Sequence, residues 1–314
     1  MSPAARRVAV VGRGLIGTAL ARTLRLADAE VYTVARSGSS TPEHAPCDLG
    51  TPEGRAGLLA ALRRWNPDRV VLTHGPSDVT WMADHPAEAA AAHTEVAEAV
   101  AARHGRGVLL VSTDNVFSGT AGLRTPDDPA DPANVYGEVK LAAERAVLAA
   151  GGAVTRVSLV YGQWSTGRQR VTFAERCLDA ALAGRPLSVP EDQWFTPVHI
   201  DDVADVLAAQ STRDGDTAPG RPAHLSGPAE LSRHDFARAA YRLAGADEGL
   251  VTACRRADSE WATRPRYSSL RCDDFGAVTG VPDWRARSVP AGLRAMLAAA
   301  GHRASAPREE AAAR

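Results

Sequence analysis

The sequence predicts an α/β fold: a doubly wound parallel sheet of Rossmann type with a smaller, interleaved C-terminal lobe. Three observations predict it. Over the first two-thirds of the 314 residues, short apolar runs alternate with Ala/Leu/Arg-rich helical stretches, the pattern of a parallel sheet covered on both faces. A glycine-rich turn, Gly12-Arg13-Gly14-Leu15-Ile16-Gly17, follows the first apolar run and opens the first helical stretch. Beyond Gly162 the alternation loosens into shorter elements, ending in a Pro- and Arg-rich segment from Arg264 onward.

The elements follow in order. Residues 8–11 form an apolar, Val-rich run that reads as a strand, and 18–26 as the helix behind the glycine turn. Residues 31–35 repeat the strand pattern, and 53–65 is a second helix. Residues 69–73, 108–112 and 154–160 read as further strands, with helices over 86–103 and 135–150 between them. The last of these starts behind Asp131-Pro132-Ala133-Asn134, a helix-start signal. In the looser part, 171–182 and 232–243 read as helices. The expected division is 1–162 for the dinucleotide-binding domain and 163–302 mainly for the second lobe, with some return to the core sheet. Residues 303–314, polar and Ala-rich, are expected to be a disordered tail.

Composition excludes several function classes. With 36 Lys and Arg against 37 Asp and Glu, the net charge is −1, which offers no basic field for nucleic acid or an anionic membrane. No apolar stretch approaches the roughly 20 residues of a membrane helix. The N-terminus runs straight into the first strand, without the apolar core of a signal peptide, so a cytoplasmic location is expected. Cys47, Cys177, Cys254 and Cys272 are scattered, with no CxxC and no His at metal-ligand spacing, and read as free buried thiols rather than disulfides or a metal site. Of the cations 35 are Arg, and Lys140 is the single Lys.

The glycine turn carries a specific physical requirement. Its first glycine permits a tight turn, its second lets backbone amides approach a pyrophosphate, and its third lets helix and strand pack closely. An NAD enzyme usually carries an acid about 20 residues further on, to bond the ribose 2′-hydroxyl. Here the second strand ends in Ala35-Arg36-Ser37 with no acid, and Arg36 and Ser37 suit a 2′-phosphate, so NADP(H) is favoured over NAD(H). Asp48 and Leu49, leading to the second helix, are candidates for the adenine end.

The catalytic candidates stand further on. The strand at 108–112 ends in Ser112-Thr113-Asp114, and ligands of open parallel sheets sit beyond the carboxyl ends of strands. Twenty-three residues past Thr113 lies Tyr136-Gly137-Glu138-Val139-Lys140, whose Tyr and Lys share one helix face at i and i+4. A phenol of pKa about 10 is a poor proton donor-acceptor near neutrality. A neighbouring ammonium favours the phenolate, so Lys140 is expected to lower the Tyr136 pKa, and its compact head can also bond a nicotinamide ribose. Thr113 is expected to donate to a substrate carbonyl oxygen. YxxxK is a weak motif alone, and it gains weight where the chain's single lysine fills it.

These residues make the chain similar to the extended short-chain dehydrogenases/reductases and, within them, to the dTDP-4-dehydrorhamnose reductase family. The likeness spans most of residues 6–295. Its motifs are 112–119 (STDNVFSG), Asn134-Val135-Tyr136-Gly137 with Lys140, 156–162 (RVSLVYG), Asp192-Gln193 with Thr196-Pro197, Asp201-Asp202-Val203-Ala204, and 264–270 (RPRYSSL). The resemblance implies Thr113, Tyr136 and Lys140 as the catalytic triad, with hydride transfer from NAD(P)H to the C4 ketone of a nucleotide-linked, dTDP-type deoxysugar. It places Thr73-His74-Gly75 along the cofactor, and makes Trp164, Gln193 and Arg264 candidate substrate contacts in a substrate-binding C-terminal lobe. A homodimer is the expected assembly.

The chain departs from the family pattern at several positions. Val11 stands where the first glycine of GxxGxxG usually falls, His74 replaces a small residue, and His93 falls where an Asn is common. Both histidines read as structural substitutes. Asn115 replaces a common aromatic. Two other readings stay open, a nucleotide-sugar epimerase and a non-catalytic NADP-binding regulatory subunit like that of some methionine adenosyltransferases. A 4,6-dehydratase is disfavoured, because Asp114-Asn115 stands where such enzymes carry Asp-Glu and an amide cannot exchange that proton.

Overall fold

The computed structural model describes residues 5–162, 171–213, 220–272, 276, 284–302 and 304. In chain order the first elements are β1 (Arg7–Val11), α1 (Leu15–Leu26), β2 (Glu30–Ala35), β3 (His44–Pro46), α2 (Pro52–Trp65), β4 (Arg69–Leu72), α3 (Val79–Asp84), α4 (Pro86–Ala90), α5 (Val96–His104), β5 (Val108–Thr113), α6 (Val135–Ala149) and β6 (Ala153–Val157). There follow β7 (Val160–Tyr161), α7 (Phe173–Leu182), β8 (Leu187–Pro190), β9 (Trp194–Phe195), β10 (Val198–His199), α8 (Ile200–Thr212), β11 (Ala223–Leu225), β12 (Leu231–Ser232), α9 (Arg233–Ala244), β13 (Val251–Cys254), β14 (Tyr267–Ser268) and α10 (Val289–Ala299).

Among the described residues the central sheet has seven strands in the order β11-β6-β5-β4-β1-β2-β3, and every neighbouring pair is parallel. Val8, Ala9, Val10 and Val11 of β1 are all fully buried, because a parallel strand covered on both faces has no polar side to present. One face packs Val11, Tyr32 and Leu110 against Leu62 of α2, Val100 of α5 and Val147 of α6. The other packs Val8, Val10 and Leu109 against Leu20 and Leu24 of α1 and Val203 and Leu207 of α8. A separate core of Tyr161, Leu178, Phe195, Phe236, Trp261 and Leu293 joins α7, α9 and α10.

The α/β architecture is as predicted, and the differences lie in pieces made by distant contacts. The run at 154–160 divides into β6 and β7. Ser158 turns the chain out of the main sheet: its Oγ donates to the Ser268 carbonyl and accepts from Thr196 N, and β7 pairs with β10 instead. The stretch at 86–103 is interrupted by a π-helical segment, Ala91–Glu95, which contains the buried His93. β3, α3, α8, α10 and the short strands β8 to β14 go beyond the elements that the sequence pattern locates individually. Of these, β11 pairs with β6 at the edge of the central sheet and α8 packs on α1, although both follow α7 in the chain. The cysteines are free, with Cys47 and Cys177 buried and Cys254 and Cys272 only half-buried.

One buried ion pair ties the sheet to the helix bearing Tyr136 and Lys140. Arg156 of β6 donates from Nε (3.0 Å) and Nη2 (2.7 Å) to the Glu144 carboxylate of α6, and its guanidinium lies 5.1 Å from the Phe117 ring centroid. Removing one member leaves the other charged and desolvated. Glu144→Gln is expected to lower unfolding free energy by about 3 kcal/mol, read by equilibrium denaturation. A change within experimental error would show that water reaches the pair.

Candidate active site

The carboxyl ends of β1, β4, β5 and β6 open onto a cavity of about 370 Å³, lined among others by Gly14, Thr73, His74, Gly75, Thr113, Tyr136, Lys140, Gln193 and Arg264. On one side stands the glycine turn. Gly12 has φ +107°, and a Cβ there would lie 2.7 Å from the Thr73 carbonyl oxygen, so both backbone angle and space demand glycine. A Cβ on Gly14 would meet nothing within 4 Å, so that residue faces open space. α1 begins with no side-chain cap and no acid in its first turn. Its unpaired N–H groups and positive dipole end therefore face the cavity rim, which fits the pyrophosphate of a dinucleotide.

The adenosine candidates sit apart from this cavity. Arg36 and Ser37 are exposed directly after β2, on the next strand to β1. Asp48 and Leu49 follow β3, but their side chains are engaged. Asp48 Oδ1 accepts from Gly50 N at 3.1 Å to shape the turn before α2, and Leu49 packs on the core. Arg13 is exposed, whereas Leu15 and Ile16 are half-buried and line the cavity with Gly14. Gly17 is buried where α1 meets the sheet.

Thr73 donates its hydroxyl toward the Val11 and Gly12 carbonyls, both at 3.1 Å, and so holds the glycine turn against β4. The next two residues are co-arranged with His93. Gly75 has φ +93°, and a Cβ on it would lie 2.1 Å from His93 Cε1, so the imidazole fills the space that glycine leaves. His93 Nε2 bonds the Pro76 carbonyl at 2.8 Å, while its Nδ1 and both His74 ring nitrogens are buried without a hydrogen-bond partner among the described residues. Burial and the Lys140 charge push His93 down to about 3, and burial with the His93 and Lys140 charges holds His74 well below the usual range. Both rings are neutral at physiological pH.

The three catalytic candidates converge as their spacing predicts. Asn134 caps α6, its Oδ1 accepting from Gly137 N at 2.9 Å, which orients the first turn where Tyr136 stands. Lys140, one turn later and 4% exposed, donates from Nζ to the Val111 carbonyl at 2.6 Å. Desolvation pushes Lys140 down to about 8, partly opposed by Glu144. The expected depression of Tyr136 is not found. Burial pushes its phenol up to about 12, with Asp114 adding to the rise and a Thr113 hydrogen bond and Arg264 opposing it. The Lys140 ammonium is engaged elsewhere, with its Nζ on the Val111 carbonyl.

Thr113 gives its hydroxyl hydrogen to Asp114 Oδ1 at 3.0 Å. Burial raises Asp114 to about 6 against hydrogen bonds from Thr113, Asn115 and Ser158 and the charge of Arg233. Among the substrate candidates, Arg264 lines the cavity, and Gln193 lines it with both ends of its amide held: Nε2 donates to the Pro265 carbonyl (3.1 Å) and Oε1 accepts from Arg233 Nε (2.5 Å). Trp164 lies outside the described residues. Sequence reasoning missed Arg233, a buried cavity residue between the Phe173, Phe195 and Trp261 rings. Its one local sign is the Ser232 and Asp235 capping box that starts α9 with Arg233 as the first residue. Among the described residues no cluster of His, Cys, Asp and Glu could hold a metal ion, and no helix is long and apolar enough to cross a membrane.

Comparison with known proteins agrees with this arrangement. The model of the RmlD substrate binding domain family matches residues 6–298. A dTDP-4-dehydrorhamnose reductase of Mycolicibacterium smegmatis is 32% identical over 297 residues, covering 90% of this chain and 83% of that protein. A probable dTDP-4,6-dihydroxy-2-methyloxan-3-one 4-ketoreductase of Streptomyces antibioticus is 31% identical over 288 residues, covering 87% and 89%. The crystal structure of dTDP-4-dehydrorhamnose reductase from Bacillus anthracis in complex with NADP superposes with a TM-score of 0.75 at 18% identity, covering 94% of this chain and 99% of that one. A match that runs through the glycine turn, the Tyr136–Lys140 helix and the elements from α7 to α10 alike leaves one assignment: the chain belongs to the dTDP-4-dehydrorhamnose reductase family of extended short-chain dehydrogenases/reductases.

Proposed function

We propose that this protein is an NADPH-dependent 4-ketoreductase of a nucleotide-linked 4-keto-6-deoxysugar, with dTDP as the nucleotide. The observation that carries the reading is the convergence of Thr113, Tyr136 and Lys140 in one cavity beside an uncapped, open glycine turn. The names of the relatives, which are dTDP-sugar reductases, support the substrate class. Bound NADPH supplies the hydride to the C4 carbonyl. The residues of the chain manage the charge that develops on the oxygen.

Tyr136 serves as proton donor. With its pKa up at about 12 the phenol is fully protonated at neutral pH, which is the state a reductase needs before turnover. Lys140, an ammonium below about 8, compensates the phenolate left after transfer and bonds the nicotinamide ribose. Thr113 donates the second hydrogen bond to the ketone oxygen. Gln193 holds Arg233 and the Pro265 backbone as the wall facing the sugar, with Arg264 beside it.

Screening dTDP- and UDP-linked 4-keto sugars for NADPH consumption tests the reading. The expected result is oxidation of NADPH with a dTDP-4-keto-6-deoxysugar and formation of a C4 hydroxyl. An epimerised sugar with no net oxidation would transfer the assignment to an epimerase, and cofactor binding without turnover would transfer it to a regulatory subunit.

Cofactor choice has its own prediction. Arg36 follows β2 with no acid beside it, where a 2′-phosphate would meet a cation. For Arg36→Asp the ratio of NADPH to NADH affinity is expected to fall by on the order of 10-fold or more, read by fluorescence titration of both cofactors. An unchanged ratio would place Arg36 on the surface only.

A further inference from the structure

The hydrogen-bond pattern around Thr113 raises a chemical difficulty that a neighbouring residue answers. A hydroxyl has one hydrogen to give and two lone pairs to receive with. Thr113 Oγ1 gives its hydrogen to Asp114 Oδ1 (3.0 Å), accepts from Asn115 N and Asn115 Nδ2, both at 3.2 Å, and also lies within hydrogen-bond reach of the Tyr136 phenol. To bond a substrate ketone, that hydrogen must leave Asp114. Ser158 also stands beside the Asp114 carboxylate, but it cannot replace that hydrogen at full strength, because its single hydroxyl hydrogen goes to the Ser268 carbonyl at 2.8 Å.

We infer that Asn115 is a positioning residue of the reduction, whose side-chain amide keeps Asp114 satisfied while Thr113 turns its hydrogen to the substrate. Asn115 Nδ2 donates to the same Asp114 Oδ1 at 2.8 Å, shorter than the Thr113 bond, and that contact persists when Thr113 rotates. The amide is oriented from its other end. Asn115 Oδ1 accepts from Asn134 Nδ2 at 3.2 Å, and Asn134 caps the helix carrying Tyr136 through Gly137 N. One chain of amides therefore joins the Thr113 side of the site to the Tyr136 side. The backbones also meet there: a Cβ on Gly137 would lie 2.0 Å from the Asn115 carbonyl oxygen. An aromatic residue at position 115, common in the family, lacks the two amide donor contacts, so this device belongs to the present chain.

The inference rests on the ketoreductase reading, and a double-mutant cycle tests it. Wild type, Asn115→Leu, Thr113→Val and the double variant are assayed with NADPH and a dTDP-4-keto-6-deoxysugar, with NADPH affinity and thermal midpoint measured alongside. Asn115→Leu is expected to lower kcat on the order of 10-fold, with KM and NADPH affinity within about twofold. The double variant is expected to be no slower than Thr113→Val, since the amide acts only through that hydroxyl. Asn134→Asp keeps the helix cap and removes the donor to Asn115, and is expected to lose part of the same rate. Wild-type kcat in Asn115→Leu, kcat losses that multiply in the double variant, or wild-type kcat in Asn134→Asp would each overturn the inference. A wild-type enzyme that fails to turn over any 4-keto sugar overturns the ketoreductase reading, and the inference with it.

Discussion

Tyr136→Phe is expected to lower kcat by about 10³-fold while leaving NADPH affinity and stability close to wild type. The phenol is partly buried against His93, whose ring centroid lies 5.9 Å away, and the ring is retained in the variant. What disappears is the proton held at about 12, raised there mainly by burial. The measurement is a single-turnover rate with saturating NADPH and 4-keto sugar. Wild-type turnover in the variant would remove Tyr136 as the donor and turn attention to Asp114, the carboxyl group in the cavity that burial raises to about 6.

The second large effect concerns the single lysine of the chain. Lys140→Arg keeps the charge and is nonetheless expected to lower kcat on the order of 100-fold. A planar guanidinium cannot take the place of a compact ammonium whose Nζ sits 2.6 Å from the Val111 carbonyl in a site only 4% exposed. The same residue predicts a pH profile. Desolvation brings Lys140 down to about 8, so the ammonium is present below that pH and disappears above it. kcat/KM is therefore expected to fall as pH rises through about 8, and the fall should be absent over the same range in Lys140→Met, which starts from a low plateau. A wild-type profile flat from pH 7 to 10 would show that the charge of Lys140 does not enter the rate.

Both predictions concern groups that local pattern made visible. Gly12, Gly14 and Gly17 follow an apolar run and precede an apolar-periodic helix, and Tyr136 and Lys140 lie one helical turn apart behind an Asn cap. These relations involve residues close in the chain, and they survive folding unchanged. Other features depend on residues brought together from afar. β11 is three residues long and exists because β6 offers it an edge. The π-helical segment at His93 is shaped with Gly75, eighteen residues earlier, where the ring fills the place of a missing Cβ. Arg233 was one of 35 arginines until the fold enclosed it between three aromatic rings.

Electrostatics shows the same division. The i and i+4 spacing correctly put Tyr136 and Lys140 on one face, yet the expected lowering of the phenol did not follow. Burial dominates at Tyr136, and the ammonium is turned to a backbone carbonyl of β5. Likewise the sequence marks Asn115 only as a departure from a family pattern. Its bonds to Thr113, Asp114 and Asn134 arise where the end of β5 meets the start of α6. Spacing can show which side chains share a cavity. Which atom holds each hydrogen depends on tertiary packing.

The most direct test of the central claim follows the hydride itself. The protein is incubated with a dTDP-4-keto-6-deoxysugar and NADPH deuterated at the transferable C4 position, and the sugar product is read by NMR. The proposed function predicts one deuterium at C4 of the sugar for each NADPH oxidised, and loss of that transfer in Tyr136→Phe. Recovery of an epimerised or unchanged keto sugar, with the labelled cofactor intact, would contradict it.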